Sequence, residues 1–146
     1  MSPPARRTKP NQRGSASVEL TVIVPALVLM LGLIVAGGRV WFARTTVNEA
    51  AHSAARAASL AGSAAEAATV GHSAGEHSLS TGGLRCTSTS VTVNVSAFHV
   101  PVGTPGTITA AARCRVAFAD LLLPGLPGSI ELTASGASAL DTYRSR

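Results

Sequence analysis

The chain opens polar, turns wholly apolar, and then changes periodicity twice. Positions 20 to 38 carry no charged residue, a run of nineteen. That is close to the ~20 residues a helix needs to cross about 30 Å of hydrocarbon, and it predicts a transmembrane helix over 15–39. Pro25 lies inside the run and Thr21 four residues before it. A proline there removes one backbone hydrogen bond and crowds that carbonyl, which predicts a kink or a loosened turn. From Val40 to Ala68 there is no proline and alanine dominates, which favours helix. Val47, Ala51, Ala54, Ala58, Ala61, Ala65 and Ala68 recur at spacings of four and three. This is a seam of small residues suited to close packing on a helix or a sheet, so an Ala-rich helix is expected over 40–70. The stretch 71–84 is rich in Gly, Ser and His and reads as a flexible linker. In so solvated a segment His72 and His77, with Glu76 between them, build no metal site.

Beyond the linker the period falls to two. Val91, Val93, Val95 and Ala97 alternate with Thr92, Asn94 and Ser96; Ile108, Ala110, Ala112, Cys114, Val116 and Phe118 alternate with Thr109, Arg113 and Arg115; and a shorter run is Ile130, Leu132 and Ala134. Such alternation predicts half-buried strands. Pro101, Gly103, Pro105 and Gly106 punctuate the first connection, and Pro124-Gly125 and Pro127-Gly128 the second. The expectation is an α+β fold: a long N-terminal transmembrane helix continuing into an Ala-rich helix, then a small three-stranded antiparallel domain over 85–146. Joining the apolar faces of the first two strands pairs Val95 with Ile108, Val93 with Ala110 and Val91 with Ala112. Thr89, rather than Cys86, then faces Cys114, so a bridge between the two cysteines needs a bulge between Cys86 and Val91.

Charge changes the picture of the first fourteen residues. The net charge is +5, but Arg6, Arg7, Lys9 and Arg13 precede the apolar run with no acid among them, while residues 15–146 hold eight Arg against seven acids. The excess is a basic leader, 1–14, not a nucleic-acid-binding face. Positive residues before a span tend to stay cytoplasmic, which orients the N-terminus inside and the remainder outside. There Cys86 and Cys114, the only cysteines, are able to form a disulfide, the alternative being two buried thiols. The apolar run also admits other readings. A secretory signal peptide has a basic start and an apolar middle, with a weak cleavage site near Val35-Ala36-Gly37. Against it, Glu19 opens the run, the run is long for such a segment, and helical sequence continues past it. A buried core helix has too little other chain to cover it.

Glu19 is the residue with unspent chemistry. A carboxylate at the mouth of a membrane-length segment is costly, and an ionisable group kept there is a functional-site candidate. The string Arg13-Gly14-Ser15-Ala16-Ser17-Val18-Glu19-Leu20, with Pro25, Gly38-Arg39, the Ala/Arg-rich continuation and the closing Ala-Leu-Asp-Thr-Tyr-Arg at 139–144, resembles the TadE-like pseudopilins of tight-adherence (Tad/Flp) pilus systems. Its N-terminus is similar to that of type IV prepilins. The resemblance is specific over roughly residues 12–58 and loose afterwards. It implies cleavage between Gly14 and Ser15 by a prepilin peptidase, an aspartyl membrane protease. It also implies assembly with other pilins or pseudopilins on an inner-membrane platform driven by a cytoplasmic ATPase. Two positions depart from the pattern: Leu20 stands where many members carry an aromatic residue, and Ser15 where type IV pilins commonly carry Phe.

These residues support one mechanism. Cleavage removes four positive charges and creates an α-amine at Ser15, which Glu19 of a neighbouring subunit can meet. A close opposite charge offsets burial only when geometry is good, so the pair sets register more than it adds stability. The extracytoplasmic portion is larger than that of a short major Flp pilin, which favours a minor or accessory pseudopilin. Four His, seven acids and many Ser are scattered with no nucleophile elbow, phosphate loop or metal-ligand spacing, so no enzyme, cofactor or metal is expected. Two other readings remain: an unprocessed single-pass membrane protein with an extracytoplasmic binding domain, and a small secreted domain released by signal peptidase.

Overall fold

The computed structural model describes residues 15–101, 103–121 and 127–140. The chain divides into two compact units, one ending at Val35 and one beginning at Ala36. What is described of the first unit is the opening of helix α1, which spans Ser15–Ser59 and continues unbroken through Pro25. Its large apolar side chains are bare: Leu33 is 71 % exposed and Leu29 70 %. Leu27, Val28, Leu29, Met30 and Leu31 are all exposed, and five consecutive residues cover every side of a helix. No side of this stretch is buried against protein. Among the described residues α1 is the one helix long and apolar enough to cross a membrane.

The second unit is α+β. It contains the rest of α1, helix α2 (Ala64–Thr81), and strands β1 (Cys86–Asn94), β2 (Gly106–Ala117) and β3 (Ser129–Leu140), with short 3-10 turns at Ser96–His99 and Phe118–Leu121. The strands form one antiparallel sheet in the order β1-β2-β3. The expected seam of α1 is buried at Val47, Ala51, Ala54 and Ala58, joined by Ala43, Ala50 and Ala55. Against it lie Val91, Ala110, Ala112, Cys114, Val116 and Leu132 of the sheet. The outer face of the sheet, with Thr109, Arg113, Arg115, Thr133 and Ser135, is exposed. There Arg115 and Glu131 sit opposite each other and form an ion pair of 3.0 Å.

Four expectations need correction. The helix expected over 40–70 stops at Ser59, and the linker expected over 71–84 is mostly helix α2. The Ser59 hydroxyl bonds the Arg56 carbonyl and the Ser138 hydroxyl, and the turn tightens as the Leu60 and Ala61 amides donate to carbonyls three residues back. Ser63 then caps α2: its Oγ accepts from the Glu66 amide, while Glu66 Oε2 accepts from the Gly62 amide. This is a variant of the capping box. The new helix has a new phase. It buries Ala67, Gly71, Gly75 and Leu79 at intervals of four, leaving Ala65 and Ala68 of the expected seam exposed. The glycines misread as flexibility are there for size: a Cβ on Gly75 would stand 2.7 Å from Val91 Cγ1 and 3.2 Å from Ala54 Cβ.

The remaining two corrections concern strand ends. Val95 and Ala97 leave the ladder, because the chain turns at Asn94, whose side-chain oxygen accepts from the Ser96 amide. The expected Val95–Ile108 pair is therefore absent. The third strand is longer than its apolar run and continues to Leu140 through Gly136. A Cβ on Gly136 would stand 2.5 Å from the backbone of Ala51 and His52, so β3 crosses α1 with backbone against backbone.

Candidate processing and assembly site on the N-terminal helix

The candidate site is the start of α1. Gly14 lies outside the described residues; Ser15 is the first residue of the helix. Glu19 lies one turn further in, exposed, and is followed at once by the bare apolar residues Leu20, Val22 and Ile23. No acidic residue occupies the first turn of α1, so Glu19 gains little from the positive end of the helix dipole, which fades within that turn. The geometry is one carboxylate at the edge of an apolar surface that protein does not cover. Contiguous exposed apolar surface on this scale marks contact with lipid or with another protein.

The far end of the apolar run is also defined. Trp41 and Phe42 are 71 % and 56 % exposed, between the exposed Arg39 and Arg44, and the next residue, Ala43, is fully buried in the core. Within one helical turn the side chains pass from open aromatics to packed alanine.

Cys86 and Cys114 are joined by a disulfide, with Cα atoms 5.4 Å apart. The register explains how. Thr89 faces Cys114, Val91 faces Ala112 and Val93 faces Ala110, while Cys86 faces Val116, and the ladder shifts between Cys86 and Ser88. The extra residue is Thr87, whose hydroxyl donates to the Arg115 carbonyl. The bulge draws Cys86 diagonally toward Cys114, which a straight ladder would hold further off.

Among the described residues no group of His, Cys, Asp or Glu is arranged to hold a metal ion. His72 and Glu76 face each other on α2 at 3.6 Å, both half exposed. Sequence reasoning missed the capped start of α2, although Ser63-Ala64-Ala65-Glu66 carries the Ser-x-x-Glu signal for it.

No curated protein and no solved structure matches the chain. Residues 14–56 match the family model of TadE-like proteins. The matched segment begins at Gly14, includes Glu19 and the apolar run, and ends inside the packed alanine face of α1. The chain thus carries a TadE-like segment, residues 14–56, at the start of α1.

Proposed function

We propose that this protein is a minor or accessory pseudopilin of a Tad/Flp-type pilus or related secretion apparatus. A prepilin peptidase cleaves between Gly14 and Ser15, and the subunit then assembles with other pilins through α1 on the inner-membrane platform. The observation that carries the reading is the bare apolar surface of α1 headed by Glu19, inside the segment that matches the TadE-like family. Such a surface is held first by lipid and then by neighbouring helices of the same kind. Glu19 meets the new amine at Ser15 of an adjacent subunit, because a carboxylate entering an apolar bundle needs a close partner.

The leader stays cytoplasmic and the sheet domain is exported. Four basic residues before the span favour that orientation. The Cys86–Cys114 bridge belongs to an oxidising compartment. Trp41 and Phe42 then sit at the outer membrane–water boundary, where amphipathic aromatic rings are enriched.

The test is the mature N-terminus. Mass spectrometry of the protein from its native membrane should find Ser15 first, and Gly14→Arg should leave the full-length precursor. An uncut leader, or a start near residue 38, sinks the proposal in favour of an unprocessed membrane protein or a secreted domain.

A further inference from the structure

Both edges of the sheet are open: among the described residues no strand pairs with the outer side of β1 or of β3. Proteins blunt such edges with lysine, proline, bulges or covering elements, because unpaired amides and carbonyls recruit further strands. These two strands contain no lysine and no proline, and Glu131 is their only charge; β1 is bulged at Thr87 near its start and packs its buried face on α2, whereas β3 has no bulge. Glu131 is bonded to Arg115 on the outer face of the sheet, so it does not guard the edge itself. Alongside β3 runs a groove of about 620 Å³, walled by Arg44, Val47 and Asn48 of α1 and by residues 130–135 of β3. A further strand would lie 4.7–4.9 Å beyond β3.

We propose that the β3 edge receives strand β1 of a second copy of this chain, so that the sheet continues from subunit to subunit. The proposal rests on the assembling-subunit reading above. Strand direction selects the partner. β1 and β3 are each antiparallel to β2 and so run the same way. A second copy with its α1 in the same sense therefore offers β1 parallel to β3. The two-fold alternative, β3 against β3, is antiparallel. It turns the second copy's α1 end for end, because residues 43–55 of that helix lie along the sheet face they cover. Copies inserted with one topology in one membrane make the first pairing and not the second. Charge agrees: with Ser90 beside Ser135, the exposed Arg85 preceding β1 lies beside Ile130 and next to the exposed Glu131, whose carboxylate is then shared with Arg115. The contact is head-to-tail and leaves one free edge at each end, so it repeats without closing. Main-chain hydrogen bonds supply the affinity, as in other strand additions.

The test uses full-length copies co-expressed in the membrane with two different tags. One carries Ser90→Cys, near the middle of β1; the other carries Ser135→Cys, or Thr133→Cys or Ala137→Cys for neighbouring registers. All are exposed positions. Oxidation should shift the mixed pair to a heterodimer band on non-reducing gels, with no dimer from either variant alone. Leu27→Cys, in the apolar part of α1, reports whether copies assemble at all. A Ser135→Cys dimer with itself overturns the proposal. So does a Leu27→Cys dimer without any mixed sheet crosslink, which leaves the assembly reading standing. No band in any variant, Leu27→Cys included, overturns both.

Discussion

Adding a single methyl group at Gly136 should cost this domain as much as the milder core truncations cost others, about 2 kcal/mol. The Cβ of Gly136→Ala would fall 2.5 Å from the carbonyl carbon and oxygen of Ala51 and the amide nitrogen of His52, where ordinary contact begins at 3.4 Å. All three atoms are helix backbone, which has no rotamer to move. Strand and helix must therefore separate by roughly an ångström, and gaps of that size forfeit a quarter to a half of each dispersion contact along the seam. Overpacking of this kind costs about 1–3 kcal/mol, and the immovable obstacle puts Gly136 at the top of that range. Removing a glycine from the unfolded chain returns about 0.4–1 kcal/mol. The net destabilisation is about 2 kcal/mol, a fall in melting temperature of about 8–15 °C for a domain of this size. Thermal melts of the oxidised full-length protein in detergent, followed by protease resistance of the sheet domain, would measure it. Gly106→Ala is the comparison, because its Cβ meets nothing nearer than the Ala97 side chain at 3.2 Å, with the Ala97 carbonyl oxygen at an ordinary 3.5 Å. A Gly136→Ala melt within about 2 °C of the wild type, or above that of Gly106→Ala, refutes the backbone-contact argument.

Three other outcomes are expected. Glu19→Leu should insert at least as well as the wild type, since it makes the span more apolar, yet be poorly recovered in crosslinked pilus complexes; normal recovery would reduce Glu19 to an interfacial residue. Replacing both Cys86 and Cys114 by Ala should lower stability by about 3.5 kcal/mol, the chain-entropy value for a bridge across 28 residues; an unchanged urea midpoint would show that the bridge restrains nothing. Ser63→Ala should cost about 1 kcal/mol by uncapping α2, seen as faster amide exchange in its first turn, and equal exchange rates would show the cap to be idle.

The parts of the fold that were legible in the sequence are those written in periodicity. An uncharged run marks the apolar helix, and alternation along 108–118 marks the central strand. Matching apolar faces sets the β1–β2 register, down to the bulge beside Cys86. The parts that were not legible involve small residues. Gly71 and Gly75 have the composition of a linker, and their packing role exists only because Val93, Val91 and Ala54 come from elsewhere to meet them. The α1–α2 break is set by local hydrogen bonds at Ser59 and Ser63, which the continuing alanine pattern obscures. β3 beyond Ala134 has too few large apolar residues to declare a strand, and pairing with β2 extends it. At the site, Glu19 was conspicuous because a charge and an apolar run adjoin, and Ser15 came in only through the resemblance of the string 13–20. The edge groove was not, because it depends on which strands have no neighbour.

The α1 side of the core is, apart from Val47, already made of alanine, and that changes how this protein must be interrogated. Ala43, Ala50, Ala51, Ala54, Ala55 and Ala58 are all fully buried. An alanine scan passes over them without a change and says nothing about this face of α1. Sensitivity lies in the opposite direction, toward enlargement, and only a scan with valine or leucine would reveal it. The same asymmetry acts on random variation: at these six positions gain of volume is the hazard, while the exposed outer face of the sheet is open to change in either direction.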